Sequence, residues 1–141
     1  MVDAESVRRK LREIERRLVA LRGISGRDRG EFLADDALQA QAERHLQIAI
    51  QAAIDVANHI VAEDSAETPE DYGSTFVLLA RMGVVDEELA GRLRSAAGLR
   101  NILVHAYTDV DATMLWERLA ELDDLERFVD ASERYVSNPR E

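Results

Sequence analysis

A chain of 141 residues with 46% hydrophobic and 33% charged side chains is long enough for one domain with a real core and too apolar to be disordered. Its formal net charge of −10 argues against non-specific nucleic-acid binding by the surface as a whole, because phosphate contacts dominate that affinity. The absence of cysteine excludes a disulfide framework and a thiolate site, and no 18-residue apolar run or signal-like segment is present, so an intracellular, cytoplasmic protein with no membrane partner is expected.

The first predicted element is a helix over residues 6–22, in which Val7, Leu11, Ile14, Leu18 and Leu21 recur at spacings of 4, 3, 4 and 3. Ser6 is its expected cap and Gly23 its expected end. This part of the chain is basic. Residues 1–30 carry nine basic side chains (Arg8, Arg9, Lys10, Arg12, Arg16, Arg17, Arg22, Arg27 and Arg29) against five acidic ones, a balance of +4 that leaves −14 for the remainder. A solvated helix face explains such a run; so does a strip for a polyanion or an acidic partner.

"GISGRDRG" reads as a linker, and a longer helix is predicted from about 31 to 63, with Leu38, Ala42, Leu46, Ala49, Ala53, Val56 and Ile60 inward. "EDSAETPEDYGS" breaks it, and a short helix over 75–82 ends at Gly83. The fourth helix is "DEELAGRLRSAAGLRNILVHAY", capped by Asp86. After "TDVD", Asp111 is expected to cap a fifth helix to about residue 136, faced by Leu115, Leu119, Leu122, Leu125 and Val129, with 136–141 a frayed tail. Alternating strand patterns are absent. The expectation is an all-α, single-domain bundle of four main helices plus one short helix, spanning 1–141.

The fourth helix carries the chemistry. Its inner stripe reads Leu89, Leu93, Ala96, Arg100, Leu103, Tyr107, so Arg100 stands where the pattern wants an apolar side chain. At about 100° per residue, Tyr107 falls within about 20° of Arg100, while Asn101 and His105 share the adjoining face. Two readings stay open. Arg100 pairs with a carboxylate of the second helix, Asp55 or Glu43, and His105 is a cation at a helix end. Alternatively the group is reactive: histidine moves protons near neutral pH, and the arginine fork fits phosphate oxygens. Such a pair suits phosphodiester cleavage without a metal, His105 shifting protons and Arg100 stabilising charge at phosphorus, with Asn101 orienting the imidazole or touching the phosphate. A twofold dimer supplies both an acid and a base. His45 and His59 are fourteen apart, without metal-ligand spacing, so no metal or other cofactor is expected.

"RNILVHAY" (100–107) has the pattern Arg-x4-His-x-Tyr with an asparagine directly after the arginine. Together with "ERHLQIAIQAAIDVANHIVAE" (43–63) and "DYGSTFVLLARMGVV" (71–85) it resembles the HEPN superfamily, specifically its HepT-like toxins. The resemblance implies a dimeric all-α ribonuclease of a type VII-like toxin–antitoxin system. By position, Arg100 and His105 match the catalytic pair, and Asn101 matches the accompanying polar residue. Tyr107 matches the tyrosine to which an MntA-like nucleotidyltransferase antitoxin adds AMP. The substrate implied is tRNA or mRNA. The alternative is a non-catalytic helical module that binds a nucleotidyltransferase or a nucleotide.

Overall fold

The computed structural model describes residues 1–105 and 110–138. Among these there is no strand, and the helices run α1 (Ala4–Ser25), α2 (Arg29–Leu33), α3 (Asp36–Asp64), α4 (Tyr72–Arg81), α5 (Glu87–His105), α6 (Ala112–Arg118) and α7 (Leu122–Ser137), with a 3₁₀ turn at Leu119–Glu121 joining the last two.

The predicted stripes are the buried ones. Val7, Leu11, Ile14, Leu18 and Leu21 of α1 all face inward, as do Leu38, Ala42, Leu46, Ala49, Ala53, Val56 and Ile60 of α3. The boundaries differ where capping and packing outweigh local propensity. Asp3, not Ser6, caps α1, accepting from the Ser6 amide at 3.2 Å. Gly23 does not end the helix, because Ile24 continues the buried stripe one step past Leu21, and the cap falls at Gly26. The predicted second helix is two helices: Asp28 caps α2 and Asp35 caps α3, accepting from the Leu38 amide at 3.0 Å. Gln39 Nε2 then donates to the carbonyls of Phe32 and Leu33 at 3.0 and 3.2 Å, satisfying the end of α2. The break lets Phe32 turn fully inward against Trp116 of α6, ring centroids 5.2 Å apart.

Asp71 caps α4 through the Ser74 amide at 2.7 Å, so this helix begins three residues before the predicted start. It ends as expected: Gly83 adopts φ 79°, and the Val84 amide donates to the Leu79 carbonyl at 2.9 Å, a closure that needs a residue without Cβ strain. Asp86 and Asp111 cap α5 and α6, also as expected. The predicted fifth helix is interrupted by the 3₁₀ turn, yet Leu115, Leu119, Leu122, Leu125 and Val129 are all buried.

Cross-helix pairs give the directions. Lys10 meets Asp55 at 3.4 Å, and the Asp3 amide donates to His59 Nε2 at 3.1 Å, so α1 and α3 are antiparallel. Arg8–Glu133 at 2.9 Å and Arg22–Asp123 at 3.1 Å make α7 antiparallel to α1. Glu88–Arg127 at 2.9 Å and Arg92–Asp124 at 3.6 Å do the same for α5 and α7. The result is an up-down-up-down bundle of α1, α3, α5 and α7 around one hydrophobic cluster. α4 lies beside α5 and is tied to α3 by the fully buried Thr75, whose hydroxyl donates to Asn58 Oδ1 at 2.9 Å. No helix of the described residues is long and apolar enough to cross a membrane.

Candidate functional site

α5 begins as a core helix and ends as a surface one. Leu89, Leu93, Ala97 and Leu99 are buried, while Ala96, Arg100 and Leu103 are only half-buried. Arg100 therefore lies at the edge of the core rather than within it. Beyond it, Asn101 and His105 are exposed, together with two apolar side chains, Ile102 (54% exposed) and Val104 (37%).

Arg100 is held in place by three neighbours. Its Nε donates to Gln51 Oε1 of α3 at 2.7 Å, and one terminal nitrogen donates to Asn101 Oδ1 at 3.2 Å. The guanidinium carbon stands 5.4 Å from the ring centroid of Tyr72, the first residue of α4. A cation at that distance from an aromatic face gains about 0.5–1 kcal/mol at an exposed site. Gln51 is itself oriented, its Nε2 donating to Asp55 Oδ1 at 2.9 Å, and Asp55 accepts from Lys10 at 3.4 Å. Three of the five guanidinium donors remain without a partner among the described residues, so the fork is fixed but not saturated.

The sequence offered Asp55 or Glu43 as partners behind Arg100. Asp55 serves indirectly, through Gln51. Glu43 is half-buried two turns earlier on α3, roughly 12 Å from Gln51 by helix rise, and is not among the hydrogen-bond partners of the guanidinium. Asn101 bonds Arg100; no hydrogen bond joins it to His105 among the described residues. Tyr107 lies outside the described residues. Gln51 and Tyr72 are what sequence reasoning missed. Gln51 sits one helical turn before Asp55, a spacing that pairs amide with carboxylate, but nothing local points either residue at Arg100.

The described residues contain no group of three or more histidines and carboxylates close enough to hold a metal ion. His45 is occupied elsewhere: its Nδ1 lies 3.2 Å from a terminal nitrogen of Arg17. Burial, then the Arg17 charge, pushes its pKa below the usual histidine value. The sign follows from proton counting. Below about pH 6.5 the unfolded chain takes up a proton that the folded chain resists, so stability is full above that pH and falls as pH drops. The thermal midpoint is expected to decline between pH 7 and 5.5, and His45→Gln is expected to remove that component of the slope.

An up-down-up-down bundle that fixes an arginine fork at the exposed end of α5, five residues ahead of an exposed histidine, defines a helical protein with a cationic candidate site. The chain belongs to the family described as Ribonuclease HepT-like, whose model matches residues 8–132. It is similar to the mRNA nuclease HepT of Shewanella oneidensis, 31% identical over 122 residues, covering 86% of this chain and 91% of that one. It is also similar to the tRNA nuclease HepT of Aphanizomenon flos-aquae, 33% identical over 86 residues, 61% of this chain and 58% of that one. Among solved structures, the tri-AMPylated Shewanella oneidensis HEPN toxin in complex with MNT antitoxin superposes with a TM-score of 0.84 at 29% identity, covering 96% of this chain and all of that one.

Proposed function

We propose that this protein is the ribonuclease toxin of a toxin–antitoxin pair, acting in the cytoplasm on RNA and neutralised by a nucleotidyltransferase that adds AMP to Tyr107. The observation that carries the site assignment is the Arg100 guanidinium, pinned by Gln51 and Asn101 over Tyr72 with donors to spare, on the same helix end as exposed His105. Two relatives named as nucleases of mRNA and tRNA support RNA as the substrate class. The structural relative is an AMPylated toxin bound to its antitoxin, which supports the partner and the modification.

The chemistry is transesterification at phosphorus. The ribose 2′-oxygen attacks, the bond from phosphorus to the 5′-oxygen breaks, one imidazole takes the hydroxyl proton, and a second gives a proton to the leaving oxygen. Arg100 offers its remaining donors to the phosphate oxygens as charge builds there. One chain supplies one such histidine, so the active species is a homodimer with two copies of the motif at one cleft. The exposed Ile102 and Val104 beside His105 suit burial at that contact.

The test is RNA incubated with purified protein in the presence of a chelator. Cleavage that survives both Arg100→Ala and His105→Ala removes the site assignment. Failure of the unmodified protein to cleave either tRNA or mRNA favours the non-catalytic binding module.

Gln51 has a positioning role in this scheme. Gln51→Leu removes the acceptor for Arg100 Nε, and about tenfold loss of kcat is expected, the order of one lost orienting hydrogen bond. Gln51→Glu keeps the acceptor but loses the amide donor to Asp55 and sets two carboxylates together, so the comparison is made on an Asp55→Asn background, where Gln51→Glu is expected to retain more activity than Gln51→Leu. Equal activity in the two variants would show that Gln51 serves only packing.

A further inference from the structure

The basic strip of α1 is not one surface, because the fold sorts its cations. Arg8 and Arg22 reach across to Glu133 and Asp123 of α7, and Arg17 pairs with Glu13 at 3.0 Å. Arg9, Lys10 and Arg16 instead line a groove of about 460 Å³ between α1 and α3, joined from the α3 side by Arg44. Glu13 and Asp55 are the acidic side chains in its lining, so four cations face two anions, a local balance of +2 in a chain of −10. Asp55 pairs with Lys10, and Glu13 with Arg16 as well as Arg17. Arg9 and Arg44 are exposed and have no ion-pair partner among the described residues.

The groove also has a direction. Gln51 lines it and, through the same side chain, holds Arg100. Arg44 lies two turns before Gln51 on α3, roughly 10 Å away, and Arg9 to Arg16 spans the same length on α1. At about 3.4 Å per phosphate along one stacked strand, such a row faces about three successive phosphates. An acidic protein has no need of a cationic row that ends at a phosphate-directed guanidinium; an RNA strand entering the cleavage site does.

We infer that the α1–α3 groove, through Arg9 and Arg44 with Lys10 and Arg16, is the track on which the backbone of single-stranded RNA lies as it enters the site at Arg100. The inference rests on the ribonuclease reading, and its test separates the two. Binding of a fluorescein-labelled oligouridylate is followed by anisotropy on a His105→Ala background, with and without Arg9→Gln/Arg44→Gln. Arg27→Gln/Arg29→Gln, at the start of α2, serves as the charge-matched control.

The groove pair is expected to weaken binding about tenfold at low salt. It is also expected to make the plot of log affinity against log salt shallower by about 1.4, which is about 0.7 for each of two lost phosphate contacts. The control pair should leave both quantities unchanged. Equal losses in both double variants would overturn the track, leaving only general charge. Unchanged RNA binding with a shift in sedimentation would overturn it too, assigning the groove to contact between copies. If the parent protein binds no RNA and the wild type cleaves none, the ribonuclease reading falls and the track with it.

Discussion

His105→Ala is expected to lower metal-free RNA cleavage by about 10²–10⁴-fold, the usual contribution of a positioned general acid or base. Arg100→Ala is expected to cost about 10²–10³-fold, the range seen when one preorganised donor to a developing oxyanion is removed. Arg100→Lys should rescue little. A lysine ammonium is a point charge, whereas the Arg100 guanidinium donates to Gln51 and Asn101 from two different nitrogens and still has N–H groups to offer in the planar geometry that the proposed phosphate contact needs. Because His105 is exposed and Arg100 half-buried at the end of α5, the losses should come without a large fall in thermal midpoint.

A mixing experiment sharpens the claim. When His105→Ala chains are titrated into wild type and allowed to exchange, a site that needs an imidazole from each protomer loses activity as the square of the wild-type fraction. A linear decline would show that each chain works alone and would remove the homodimeric cleft.

Tyr107→Phe is expected to abolish neutralisation. With the nucleotidyltransferase and ATP present, the wild-type protein should gain the mass of one or more AMP groups and lose cleavage. The phenylalanine variant should keep whatever cleavage it shows alone. The physical reason is charge and place. Transfer of AMP to the phenolic oxygen releases pyrophosphate and leaves a phosphodiester anion two residues past His105 and seven past Arg100 in the chain. A tethered phosphate at that separation competes with the RNA phosphate for the guanidinium at very high effective concentration. Intact mass and a cleavage assay on the same sample check this. AMP addition to the phenylalanine variant with full loss of activity would place the neutralising group elsewhere.

Much of the bundle is written in periodicities that need only neighbours in the chain. The stripes of α1 and α3 and the inner face of α6–α7 are buried as read, because a repeat of three and four residues places side chains on one face whatever the helix packs against. The ends were less legible. Ser6 and Gly23 are good local signals, but Asp3, as good a capping residue as Ser6, takes the cap three residues earlier, and the burial of Ile24 outweighs the low helix propensity of Gly23. Arg100 shows both sides. Its misfit in an apolar stripe marked it as special, but only the opening of α5 at the bundle's edge makes it half-buried and accessible.

The sequence by itself determined the helical class and the Arg100–Asn101–His105 grouping on one helix, since both depend on separations of a few residues. The tertiary structure alone decided what grips Arg100 and which α1 cations stay unpaired. Gln51 is 49 positions from Arg100 and Tyr72 is 28, Arg8 is neutralised by a carboxylate 125 positions away, and Arg9 next to it is not. Such pairings follow from how the helices approach one another in space, and a short-range electrostatic or hydrogen-bond contact between distant segments has no local periodicity to announce it.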